Sequence, residues 1–239
     1  MLRKYVSIVT LIALVLCTSL VNVYAQESNN DYVVIKENKE IKDLKELKKL
    51  ALRDKDKDKK LIKVELKNNK TKEKKELETI SYKQLLKEEK HKETGDTKET
   101  YAETLMVIQP LSLEDSQTKE EYDNVGEVLF YSTMYYIKGT VNGEASVKLT
   151  GASGGWNPQS GTNISNQKVG MHCNGNNPYG GLIDDQHYTK YPSSLTFDYD
   201  TPSSWDYIED NINEFMGVDT TAKLTRLGTS WTYTMYNNY

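Results

Sequence analysis

Asp54, Asp56 and Asp58 alternate with lysines, and Glu65 stands at the twelfth position counted from Asp54, with Leu61 at the eighth. That is the acidic spacing of an EF-hand calcium loop. The sixth position, however, is Lys59, where the sharp turn of such a loop needs glycine. Lys55, Lys57 and Lys60 add positive charge that repels a divalent cation. A solvated turn is the expectation.

A second constellation joins His172 and Cys173 to Asp184, Asp185 and His187. Three or four such ligands converging would suit zinc. Strand alternation separates them, because Val169, Met171 and Cys173 share one face while Gly170 and His172 take the other. Cys173 then reads as a small buried hydrophobe. The same split parts a Cys–His nucleophilic pair, so neither a metal nor a catalytic thiol is expected. Asp198, Asp200, Asp206, Glu209, Asp210 and Glu214 offer carboxylate pairs for glycoside hydrolysis, but too many for one pair to stand out. The sequence contains no Gly-rich phosphate loop and no metalloprotease or serine-hydrolase motif. The reading is a non-catalytic protein without a cofactor.

The aromatic residues are the remaining functional candidates. Trp156 sits among Gly, Ser and Asn, while Tyr179, Tyr188, Tyr191, Trp205 and Tyr207 lie among polar residues. Rings beside amides and hydroxyls are equipment for stacking on sugars or gripping peptides. Trp156, Tyr179, Tyr188 and Trp205 are the candidate ligand-binding residues. For Trp156 and Trp205 a place in the core is the competing reading, and Trp231, mid-strand, is expected in the core.

The elements that must position these residues divide the chain. Ile41, Leu44, Leu47, Leu50 and Ala51 recur at helical spacing over about residues 39–52. Leu61 to Leu66 suggests a strand, with a second ending near Thr79 and Ile80. Ser81 and Gln84 form a capping-box pattern that predicts a short helix to about Lys90. Glu103 to Ile108 reads as a strand, and 109–121, with Pro110, Ser112, Asp115 and Ser116, as a linker. Beyond it the signals are those of strands and turns: Val128 to Ile137, a turn at Asn142-Gly143, Ala145 to Thr150, a 151–161 loop, Asn163 to Cys173, and a closing hairpin turning at Gly228. The predicted fold class is α+β overall. A small N-terminal α/β unit (26–108) precedes an all-β domain (122–239), a β-sandwich or partly open barrel.

Charge follows the same division. Residues 36–100 carry 22 Lys/Arg against 16 Asp/Glu, and residues 101–239 carry 7 against 17. Acidic residues interleave with the lysines of the first half, so nucleic acid is not an expected partner. At the start, Arg3 and Lys4 precede an uncharged run, Tyr5 to Val23, and Val23-Tyr24-Ala25 places small residues at the −3 and −1 positions. This pattern predicts a secretory signal peptide over 1–25, cleaved between Ala25 and Gln26 by a signal peptidase after passage through the secretion machinery. No second apolar run is long enough for a membrane span. Cleavage would leave Cys173 as the sole cysteine, so no internal disulfide is expected. Low-GC Gram-positive bacteria are the compositional match.

The C-terminal half also resembles a known group. Tyr131-Ser132-Thr133, Gly154-Gly155-Trp156, Val169 to Cys173, Leu224-Thr225-Arg226, Ser230-Trp231 and Asn237-Asn238-Tyr239 are similar to motifs of uncharacterised small secreted proteins of Gram-positive bacteria. Their β domain closes in a Leu-x-Arg-Gly-x-x-x-Trp hairpin. Here Leu227 intervenes between Arg226 and Gly228, a departure in the turn. The resemblance covers about residues 128–239 and implies a β fold and export. The group has no assigned activity, so it implies no functional residue.

Two functions are expected from this reading. The first is a secreted, extracellular, non-catalytic protein that binds a cell-wall glycan or a surface protein through its β domain. The second is an exported precursor whose 26–108 region is a pro-segment or intramolecular partner of the β domain. A hydrolase ranks third.

Overall fold

The computed structural model describes residues 31–53, 64–77, 79–108, 128–158, 160–211 and 215–239. The signal stretch with Ala25 and Gln26, all but the last two residues of the Asp54–Glu65 loop, and the 109–121 linker lie outside them.

In chain order, β1 (Tyr32–Glu37) and α1 (Leu44–Arg53) precede β2 (Val64–Asn68), β3 (Lys74–Glu76), β4 (Thr79–His91) and β5 (Thr97–Ile108). Then come β6 (Val128–Val141), β7 (Glu144–Trp156), β8 (Asn163–Asn176), β9 (Leu182–Ile183) and β10 (His187–Lys190). The last are β11 (Thr196–Asp200), β12 (Ile208–Glu209), β13 (Phe215–Arg226) and β14 (Thr229–Asn238). The first sheet runs β1-β4-β5-β6-β7-β11, with β12 also on β7; the second runs β10-β8-β13-β14-β2-β3, with β9 also on β8. All pairings are antiparallel.

This overturns the predicted α+β class with its N-terminal α/β unit. The described residues are 65% strand and 6% helix, and α1 is their single helix. Strands from residues 26–108 enter both sheets. β5 pairs with β6 along its length, and β2 pairs with β14 from Trp231↔Asn68 to Met235↔Val64. Lysine density makes the first half look like a separate unit, but Val64, Leu66, Leu105 and Val107 of that half belong to the shared core.

One core lies between the sheets. Leu105, Val107, Phe130, Met134, Leu149 and Trp156 of the first meet Val64, Met171, Cys173, Val218, Tyr233 and Met235 of the second. Phe130 and Tyr233 touch across the gap with centroids 4.1 Å apart. The buried Asn237 Nδ2 of β14 donates to the Ser132 and Glu103 carbonyls of the first sheet, at 3.0 and 3.2 Å. Such a buried amide bridge fixes the offset between sheets that apolar packing alone leaves free.

The predicted helix at 81–90 is the middle of β4. Its capping-box residue, Gln84, does other work: its Oε1 accepts from the Ile41 N–H at 2.9 Å and its Nε2 donates to the Ile41 carbonyl at 3.1 Å. Propensity for helix yields here to pairing with β5, a tertiary override. Ile80, Tyr82 and Met106 form the floor of a second small cluster roofed by Leu47 and Ala51 of α1. The helix expected over about 39–52 starts later, at Leu44. Asp43 caps it, its Oδ1 accepting from the Glu46 N–H at 2.8 Å.

The 151–161 loop is also largely strand, since β7 continues to Trp156. The glycines there serve close approach between strands. A Cβ on Gly154 would lie 2.5 Å from both the Tyr131 carbonyl oxygen and the Phe197 ring.

Candidate functional site

The sequence-predicted aromatic site is not assembled. Trp156, at the end of β7, is 1% exposed and packs on Phe197 with centroids 5.3 Å apart. Trp205 is 6% exposed, its backbone N–H donating to the Pro202 carbonyl in a tight turn. Both are core residues and cannot offer a face to a ligand, which corrects their place among the candidates. Tyr188, on β10, is half-buried against the core, with Lys190 Nζ 4.4 Å from its ring centroid. Tyr179 is 76% exposed in the turn after β8, whose Asn177 side chain accepts from its N–H. Among the described residues no group of three His, Cys, Asp or Glu side chains could hold a metal ion. Cys173 is buried in the core while His172 faces the other side of the second sheet.

A different site forms on the outer face of the first sheet. The segment before α1 and the start of the helix lie across this face and leave a cleft of about 340 Å³. Antiparallel register builds its floor. Thr104↔Thr133, Thr133↔Ser153 and Ser153↔Asp198 are direct cross-strand partners, so their side chains line up across β5, β6, β7 and β11. Thr104 and Thr133 share a hydrogen bond of 2.8 Å between hydroxyls. Tyr131 and Tyr135 lie two residues to either side of Thr133 on β6 and therefore share its face.

Tyr135 is the best-anchored group in the cleft. Its hydroxyl donates to Glu40 Oε1 at 2.7 Å and lies 3.0 Å from Ser153 Oγ. Burial pushes its phenol well above the usual range, with Ser153 opposing and Glu40 adding to the rise. Tyr135 thus stays a proton donor at any physiological pH. Glu40 also pairs with Lys42 at 3.3 Å, an exposed contact worth little to stability. The cleft so combines a tyrosine ring, a line of hydroxyls, and two carboxylates, Glu40 and Asp198. Sequence reading missed it because its residues sit on five elements that only register brings together. The legible trace was Tyr131-Thr133-Tyr135, a polar-aromatic face alternating with the core face Phe130, Ser132, Met134 and Tyr136.

On the outer face of the second sheet, His172 and Asp219 are neighbours, with Nδ1 and Oδ2 3.8 Å apart. The groups around Asp219 are His172 and Lys168 of β8, His187 of β10 and Tyr236 of β14. Burial depresses His172 from 6.5 to about 4. Its stabilising contribution is complete above pH 6.5 and is lost as pH falls toward 4. Burial raises Asp219 from 3.8 to about 6, with Lys168 opposing. Its contribution is complete below pH 3.8 and is lost as pH rises through 6. The two slopes oppose each other between about pH 4 and 6. Asp219→Asn should therefore unmask a stability that rises with pH in this window, and His172→Gln one that falls. Urea unfolding of both variants across that range checks this; parallel slopes would refute it.

No family model matches this chain, and no curated protein or solved structure matches it.

Proposed function

We propose that this is an exported, extracellular binding protein, freed by signal peptidase after Ala25, that holds a saccharide segment of a cell-surface polymer in the cleft on its first sheet. The observation that carries the reading is the ordered hydroxyl row Thr104, Thr133 and Ser153 beside the Tyr131 ring, with Tyr135 fixed by Glu40 at 2.7 Å. A sugar presents both donors and acceptors on a ring with an apolar face. A flat aromatic surface beside fixed hydroxyls and carboxylates meets each of these. In this reading the binding surface is a cleft on strands, and the buried Trp156 and Trp205 take no part in it.

Co-sedimentation with purified Gram-positive cell-wall sacculi tests the proposal. Ser153→Leu, which fills the cleft floor, and Tyr131→Ala should each weaken retention by about tenfold or more, equivalent to about 1.4 kcal/mol. Thermal unfolding of each variant separates loss of binding from loss of fold. Retention unchanged in a folded Ser153→Leu protein would overturn the reading.

Because Glu40 and Asp198 line the same cleft, glycoside hydrolysis is the second reading, using the two carboxylates as acid and base or nucleophile. It requires new reducing ends from sacculi, lost in Glu40→Gln and in Asp198→Asn. Failure of the unaltered protein to release any would sink it.

A further inference from the structure

We propose that the outer face of the second sheet carries a separate binding site for a small zwitterion, a molecule bearing both an ammonium and a carboxylate, such as a free α-amino acid. The site is built by register. On this face His187, His172 and Gly217 form one row across β10, β8 and β13, since His187↔His172 and Gly217↔His172 are partners. The next row is Thr189, Gly170, Asp219 and Tyr236; the third is Lys168, Thr221 and Thr234. Gly170 leaves the middle of the middle row without a side chain. The result is a groove of about 270 Å³ opening over Gly170 and Asp219.

That glycine is not imposed by the backbone. A Cβ at Gly170 would find its nearest atom, Asp219 Cβ, at 3.7 Å, an ordinary contact, and its φ is not in the left-handed region. Strand residues with side chains, β-branched ones above all, are favoured at such a position. What a side chain there would do is fill the groove.

Two opposite charges face this space without meeting. Lys168 and Asp219 lie diagonally across β8 and β13, and among the described residues neither forms an ion pair with the other within 4 Å. Asp219 Oδ1 and His172 Nε2 are buried with no hydrogen-bond partner, and His172 is 6% exposed. Polar atoms so placed call for a partner, because a buried donor or acceptor left unmet is destabilising. A ligand ammonium would answer Asp219, its carboxylate would answer Lys168, and the hydroxyls of Thr189, Thr221, Thr234 and Tyr236 would rim it. Diagonal neighbours on adjacent strands stand roughly 7–8 Å apart, a span that a bridging zwitterion can close with a flexible lysine on one side. A neutral polyol would leave both charges unanswered.

The test uses the full secreted chain and proton NMR of the His172 and His187 imidazoles, titrated with alanine at millimolar concentration. Alaninamide, which lacks the carboxylate, N-acetylalanine, which lacks the ammonium, and N-acetylglucosamine, a neutral polyol, serve as comparisons. Alanine should shift the imidazole signals, and each comparison compound should bind about tenfold more weakly or not at all. Gly170→Val should abolish the response while leaving thermal stability and retention on sacculi as in the unaltered protein. Lys168→Gln and Asp219→Asn should each weaken alanine binding to the level of the matching comparison compound. No shift with alanine, an equal shift with alaninamide, N-acetylalanine or N-acetylglucosamine, or an undiminished shift in Gly170→Val would overturn the proposal. The first-sheet cleft is read out by sacculi alone, so either site can fail without the other.

Discussion

Trp156→Ala should destabilise the protein by about 3–5 kcal/mol, the range for emptying a fully buried large aromatic. That approaches the whole stability of an ordinary domain of about 5–15 kcal/mol. The indole is 1% exposed, packs on Phe197 and belongs to the main core between the sheets. The gap cannot easily collapse, since Gly154 already lets Phe197 and the β6 backbone approach as closely as they can. Urea unfolding followed by circular dichroism gives the number. A ligand-stacking role for Trp156 would instead leave the midpoint unchanged and reduce only retention on sacculi. An unchanged midpoint would therefore contradict the placement of this residue.

A fragment beginning at residue 122 should fail to fold. It would keep β6 to β14 but lose β5 from the middle of the first sheet and β2 from its place beside β14. Leu105, Val107, Val64 and Leu66, all buried, would leave with them. The edges of β6 and β14 would stand open, each a long run of unpaired backbone groups prone to aggregation. Supplying residues 26–108 as a separate chain should restore a soluble complex. The same logic applies to the expected precursor. A single cut between 109 and 121 would leave the two pieces held together by β5–β6 and β14–β2 pairing. Size-exclusion chromatography of the fragment alone and with its complement is the check; a monomeric, cooperatively unfolding 122–239 fragment would refute the interleaved architecture.

Local signals in the sequence were sound wherever local physics decides. The hairpin of β13 and β14 turns at Leu227 and Gly228, both with positive φ, and Asn142 and Gly143 do the same between β6 and β7. Such turns need residues that tolerate that backbone, and Asn-Gly announces it. Alternation over Val169 to Cys173 placed Cys173 in the core and His172 on the opposite face, where it lines the second-sheet groove and is itself buried. The failures have a common cause. Gln84 and Gly154 were read from their sequence neighbours, as a helix cap and as loop glycine. Their roles are set by Ile41, Phe197 and Tyr131, residues more than twenty positions away. The cleft was hidden for the same reason, since the line from Thr104 through Thr133 and Ser153 to Asp198 exists only once three strand registers are fixed. Periodicity reports which face a residue takes, not what lies beside it.

The pairing of β2 with β14 also dictates when this chain can fold. Trp231↔Asn68 and Met235↔Val64 join segments on opposite sides of most of the described chain. Closing such long loops is entropically slow, and folds dominated by distant pairings form over milliseconds to seconds. The second sheet cannot be completed until β14 is available to receive β2 and β3. The complete native fold is therefore out of reach until residues 229–238 are present, although β4 to β7 can pair in sequence before that. The strand order thus acts as a timer, holding back the native state until the last hairpin arrives.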